Sequence, residues 1–273
     1  MDKFDISDLD CEERFGLPSR GWIAAGKFSS LLLGLILTAV FYGILALLRL
    51  PWSNSPMLAM FFPGGPAGRT FIPLITVLTA MWCLSMLLIK RRKLSVQQRA
   101  MQALPVAGSA AGQISEIAEK FATPAEFAAA ALQIKQLEMT AAAVPDLEIA
   151  GVINQSVQDL EQDSEISFIP INCFIWAVPV LGFTGTVLGL AQAVGRFGTL
   201  AGADSKVDFN TVLPEVTGGL ATAFETTLIA LVLALLLQLT ASFQSQAEAE
   251  FLQQIKLRNL PESIRLKPEP QDS

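Results

Sequence analysis

Glu225 is the lone acidic residue in a long apolar stretch, residues 216–247. A charged side chain at the centre of a bilayer costs roughly 2.5–3.5 kcal/mol on insertion scales, so such a residue is a functional candidate by default. Two hydroxyls stand out beside it. In AVPVLGFTGTVLGLAQAVGRFG, Pro179, Gly182, Thr186, Gly189 and Ala193 fall three or four apart and share one helix face. In TGGLATAFETTLIALVLAL, Ala223, Thr227, Ala230 and Ala234 do the same, with Gly219 leading in. Small residues let helices approach closely in lipid, where burying leucine gains little. Each small face therefore carries one threonine, and two such hydroxyls around an axis would line a narrow polar passage. The plainer alternative is that each threonine bonds a carbonyl of its own helix and packs. Spacing alone leaves both open. At 100° per residue, Glu225 points roughly 160° away from Thr227. It is either a buried acid hydrogen-bonded to hydroxyls such as Thr222 or Thr226, or a participant in ion transfer.

Other chemistry finds little support. The chain has no histidine, the commonest transition-metal ligand and the one side chain that titrates near neutrality unaided. Cys11, Cys83 and Cys173 are far apart, so neither a disulfide framework nor a metal site is expected. No nucleophile–base pair is apparent, and no cofactor is expected. The run GFTGTVLG lies inside an apolar stretch rather than at a strand–helix turn, unlike a nucleotide-binding fingerprint. The net charge of −6 and the lack of a long basic tract argue against nucleic-acid binding. An enzyme is the least favoured class.

The elements that must carry these residues are membrane helices. The 273 residues are 52% hydrophobic and only 16% charged, against about a quarter charged in soluble domains. Four stretches reach the roughly 20 apolar residues that a span requires: 28–48, 71–89, 166–195 and 216–247. The N-terminus is acidic and polar, which argues against a cleaved signal peptide. With both termini inside, fifteen of the nineteen Lys and Arg lie on the cytoplasmic side, including Lys90, Arg91, Arg92 and Lys93 just after the second span.

The outer loop, 50–70, is rich in Pro and Gly and reads as irregular. The loop at 90–165 reads as helical. Thr123-Pro124-Ala125-Glu126 carries a capping signature that predicts a helix to about Ala143. A second helix is predicted from near Pro145 into the third span, with Leu147, Ala150, Ile153, Val157 and Leu160 on one face. The fourth span is predicted to continue past Gln253 and stop before Pro261, giving a cytoplasmic helical stalk. The organisation expected is a cytoplasmic segment 1–27, two peripheral membrane helices with their loop 28–89, a helical loop 90–165, a pore-forming pair 166–247, and a tail 248–273.

The last two spans resemble the conserved pair of the MotA/TolQ/ExbB proton channel family. Pro179-Val-Leu-Gly182-Phe-Thr-Gly185-Thr186-Val-Leu-Gly189 is similar to a P-L-L-G-L-x-G-T-V-x-G pattern of its ExbB/TolQ branch. Gly219-Leu220-Ala221-Thr222-Ala223-Phe224-Glu225-Thr226-Thr227, with Ala230 in place of a later glycine, is similar to the second motif. Four spans with both ends inside resemble the MotA arrangement, whereas ExbB and TolQ have three spans. ExbB-like chains often carry an acid where Thr222 stands here, and the AF-x-TT wording also resembles the ZorA-like branch.

The resemblance implies an all-α membrane protein with cytoplasmic extensions, forming a homopentameric ring in the bacterial inner membrane. Such a ring would enclose two copies of a single-span partner of the ExbD/TolR/MotB type, whose aspartate carries the ion. Thr186, Thr227, Glu225, Thr222 and Thr226 would border the pathway. Pro179, Gly182, Gly185, Gly189, Ala193, Gly219, Ala223 and Ala230 would serve helix packing or partner contact. The runner-up is a non-conducting membrane scaffold, which the same small-residue faces would also suit.

Overall fold

A computed structural model describes residues 26–51, 58, 60–62, 71–105, 109–202 and 209–265. The N-terminal segment with Cys11, most of residues 50–70, residues 106–108 and 203–208, and the end of the tail lie outside the described residues.

Helices account for nearly all of what is described: α1 Lys27–Arg49, α2 Ile72–Ala103, α3 Ala110–Lys120, α4 Ala128–Ala141, α5 Asp146–Gly202, α6 Phe209–Asn259 and the short α7 Glu262–Arg265. Four of them, α1, α2, α5 and α6, are long and apolar enough to cross a membrane. This matters physically, because helices satisfy every backbone N–H and C=O within one segment, as lipid demands. α5 runs through Pro170 and Pro179, and α6 through Pro214, without a break.

The chain divides into two compact units. One comprises Ser30–Met86 and Pro170–Ala241. In it, α1 lies against α2 where Gly34 meets the backbone of Trp82; a Cβ at Gly34 would sit 2.8 Å from Trp82 Cα. The Ser85 hydroxyl donates to Ser30 O at 2.6 Å, and the Trp82 indole N–H to Ser30 Oγ at 3.2 Å. On its other side α2 meets α5, with Trp82 against Phe174 at 4.7 Å between ring centroids. The sequence grouped α1 and α2 together as peripheral, and here the two differ. Over its most apolar stretch α2 is 56% buried within the chain and α1 only 17%.

The second unit comprises Met1–Ser29, Leu87–Ile169 and Ser242–Ser273. Its apolar core gathers Leu94, Ile117, Phe127, Ile153, Phe251 and Ile255. The rings of Phe121 and Phe127 pack tilted at 58°, 5.1 Å between centroids. Of the face predicted for the start of α5, Ala150, Ile153 and Val157 are buried, but Leu147 is 80% exposed. The helix begins at Asp146, so Leu147 lies in its first turn, ahead of the core.

Two features correct the sequence expectation. Thr123-Pro124-Ala125-Glu126 does not open the long helix. Its hydroxyl donates to the Glu126 carboxylate at 2.7 Å and the segment forms a 3₁₀ turn, Pro124–Glu126, so α4 starts only at Ala128. The cap of α4 is supplied from another helix. Gln97 of α2, buried, accepts from Ala128 N at 3.1 Å and donates to Glu126 O at 3.0 Å. Helix α3 was not anticipated; Ser109 caps it by accepting from Gly112 N at 3.3 Å. The end of α2 is also held from a distance, by Arg258, whose guanidinium donates to Met101 O at 2.7 Å and Leu104 O at 2.9 Å.

Gln97→Ala is expected to leave the buried Ala128 N–H without its partner, destabilising this unit by about 1–3 kcal/mol. Faster amide exchange in the first turn of α4, with exchange in α6 unchanged, is the measurement that checks it.

Candidate ion pathway

The two helices that carry the candidate residues pack directly against each other. A Cβ added to Gly189 would lie 2.7 Å from Gly219 O and 2.9 Å from Ala223 Cβ. Gly182 faces Ala230, Gly185 faces Thr226, and Gly219 faces Ala193. As numbers rise along α5 they fall along α6, so the helices are antiparallel. Here the absence of side chains is required, because each glycine is filled by the neighbouring backbone or Cβ. The packing residues therefore form one seam inside a single copy of the chain. Pro179 lies half-buried at its edge.

The threonines do not sit quite where the sequence placed them. The centre of the seam holds Gly185 against Thr226, while Thr186 and Thr227, each one position further along, are only half-buried. Helical geometry puts Thr186 roughly 55° from the middle of the α5 face and Thr227 roughly 70° from the middle of the α6 face. Because the helices are antiparallel, both rotations lead to the same flank of the seam. Thr186 faces the level of Thr226, so the two hydroxyls also share a depth. Glu225 is roughly 130° the other way around α6, on the opposite flank, and is half-buried. Helical geometry thus puts Thr186 and Thr227 on one flank of the seam and Glu225 on the other.

Their hydrogen bonds differ. Thr186 Oγ1 donates to Phe183 O at 2.6 Å, on its own helix. Thr227 Oγ1 lies 3.3 Å from Ala223 O and also 3.3 Å from Gly182 O across the seam. One proton divided between two distant carbonyls is weakly held, which leaves this hydroxyl able to turn toward another partner. Thr222 and Thr226 are buried and donate to Gly218 O and Ala223 O, both at 2.9 Å. The two readings left open by spacing are not exclusive: each threonine finds a backbone carbonyl, yet two remain partly open.

A second polar cluster, in the other unit, was not anticipated from the residue pattern. Lys90, fully buried, lies 3.1 Å from Glu248, which is 1% exposed. The only available signal was a basic run after the second span, which reads as a membrane-border marker.

Gly189→Ala is expected to push α5 away from Gly219 and destabilise the folded chain by about 1–3 kcal/mol. Gly151→Ala, at an exposed α5 position with nothing within 4 Å, is expected to be neutral or to stabilise by up to about 1 kcal/mol. Thermal unfolding of the two variants in one detergent separates these outcomes.

No curated protein and no solved structure matches the chain. The sequence model of the MotA/TolQ/ExbB proton channel family matches residues 119–256, just over half of the 273. That region runs from the end of α3 through α4, α5 and nearly all of α6, and contains the whole seam. With four membrane-length helices, the glycine-lined α5–α6 pair and this match, the chain is a multi-pass membrane protein that belongs to the MotA/TolQ/ExbB proton channel family.

Proposed function

We propose that the chain is the ring subunit of an ion-driven motor of the bacterial inner membrane, with both termini cytoplasmic. The observation that carries this reading is the shared flank and depth of Thr186 and Thr227, on the two helices that bear the family motifs. In a ring of five copies, that flank would face a central partner, and the hydroxyls would form the walls of the route. Thr226 lies beside it in the seam, and Thr222 is buried on the Glu225 side of α6.

The moving charge is assigned to an aspartate on a single-span partner of the ExbD/TolR/MotB type, two copies per ring. A wall of hydroxyls can accept and return hydrogen bonds to a protonated or ion-bearing carboxyl without holding the ion itself. Glu225, on the far flank, is assigned to a contact with a neighbouring copy or a secondary role in ion transfer. An elementary charge falling through the membrane potential releases about 2.3 kcal/mol per 100 mV, enough for a few ions to drive a step of the ring. Proton is the favoured ion, and no enzymatic step is required.

A non-conducting scaffold would use the same small-residue seam for assembly alone, and the half-open Thr227 hydroxyl favours conduction over it. Thr186→Val and Thr227→Val keep the side-chain shape and remove the hydroxyl. Each is expected to lower ion flux in proteoliposomes containing the partner roughly tenfold or more, with the assembly intact on size exclusion. Undiminished flux in both variants removes the pathway assignment. Glu225→Gln is expected to leave flux through the Thr186–Thr227 route largely intact while altering assembly or its pH dependence; a complete loss of flux moves Glu225 into the pathway itself.

A further inference from the structure

The connection between α1 and α2 is rich in proline and glycine, but one part of it is strongly apolar. Met57-Leu-Ala-Met-Phe-Phe62 holds six apolar residues in a row, between Pro56 and Pro63. Such a run is out of place in a loop washed by water. The structure shows where part of it goes. Met60 and Phe61 form a turn, and Phe61 packs edge-on against Phe41 of α1, 5.6 Å between ring centroids. Phe62 meets Tyr42 in the same way at 5.9 Å, and the Arg49 guanidinium lies 5.3 Å from the centroid of the Phe62 ring. The Tyr42 hydroxyl is shut away from solvent.

Depth follows from helix geometry. The apolar run of α1 is residues 28–48, 21 in all. At 1.5 Å per residue it is roughly 31 Å long, which fills a hydrocarbon core of about 30 Å. Arg49 is the first charge after it and marks the border. Phe41 precedes Arg49 by eight residues, roughly 12 Å along the axis. Side chains on a helix lean toward its N-terminus, so the Phe41 ring lies deeper still. A centroid separation of 5.6 Å cannot lift Phe61 back to the level of Arg49. The turn therefore lies alongside α1, within its apolar stretch, rather than beyond its end.

The surroundings of the turn are suited to lipid. Over its most apolar stretch α1 is only 17% buried within the chain, and every exposed residue from Leu35 to Leu48 is apolar. Leu58, Met60, Phe61 and Phe62 are each half-buried, so each keeps an uncovered apolar edge. We propose that the Met60–Phe62 turn dips into the outer leaflet and packs there against lipid acyl chains, anchoring the outer end of α1. Which leaflet it enters rests on the orientation assigned above; the dip itself does not, and neither depends on the ion pathway. Irregular backbone in hydrocarbon needs cover from protein, and a turn laid along α1 has it on one side, which keeps the dip short. Phenylalanine has no hydrogen-bonding group to desolvate, so its ring can meet acyl chains directly. The Arg49 guanidinium, over the Phe62 ring, holds the arrangement from the border.

The test uses the full chain with Cys11, Cys83 and Cys173 changed to alanine, reconstituted in liposomes. A nitroxide is placed on F61C and, in a second variant that removes no ring, on M60C. L50C, at a position 78% exposed just past Arg49, marks the border. At F61C and M60C, collisions with oxygen, which concentrates among acyl chains, are expected to exceed those with a water-soluble nickel chelate about tenfold relative to L50C. An impermeant maleimide is expected to react with unlabelled F61C about tenfold more slowly than with L50C. Nickel collisions at F61C and M60C that match those at L50C overturn the proposal, because the turn is then in water. Few collisions with either agent overturn lipid as the partner, in favour of a second copy of the chain. A maleimide that reaches L50C only after permeabilisation sinks the assigned orientation, and with it the outer leaflet, while the collision ratio still decides the dip.

Discussion

The close approach of α5 to α6 is the constraint on which the candidate site depends. In lipid there is no hydrophobic gain from pairing two helices, so dispersion contacts and interhelical hydrogen bonds must hold them. Gly182 and Gly189 meet backbone atoms of α6 and Gly185 the Thr226 side chain, and only at that separation does Thr227 Oγ1 come within 3.3 Å of Gly182 O on the opposite helix. A larger residue at any of the three would separate the walls before it changed their chemistry.

That closeness comes with little specificity. Glycine and alanine present nearly the same surface at every turn. In the other unit, the buried Lys90–Glu248 pair is held by charge and hydrogen bonds, at a desolvation cost that apolar replacement would avoid. In that same unit, Gln97 caps α4 and Arg258 holds the end of α2. In each case a helix end relies on a side chain remote in sequence rather than on its own cap.

Glu225 illustrates how a helix sorts neighbouring polar residues. It adjoins Thr226 and lies two positions from Thr227, yet the three face the opposite flank, the seam and the pathway flank respectively. A hundred degrees per residue is enough to give adjacent side chains unrelated surroundings. An acid and a hydroxyl that look like partners in the sequence are thereby separated.

Much of this was legible in the sequence. Hydrophobic length sets the four spans, because the bilayer fixes how many apolar residues a crossing needs. The spacing of Gly182, Gly189, Ala223 and Ala230 marks which helices must touch, since helical periodicity is a local property. The stop of α6 before Pro261 follows from proline's missing N–H in the same way. Tertiary structure decided what depends on neighbours. It placed Thr226 rather than Thr227 at the centre of the seam, buried α2 more deeply than α1, and turned the capping signature at Thr123 into a 3₁₀ turn. Above all it joined Lys90 to Glu248 across 158 positions. No periodicity within one segment encodes such a pairing, because the energy of a buried charge is set by the groups that other segments bring to it.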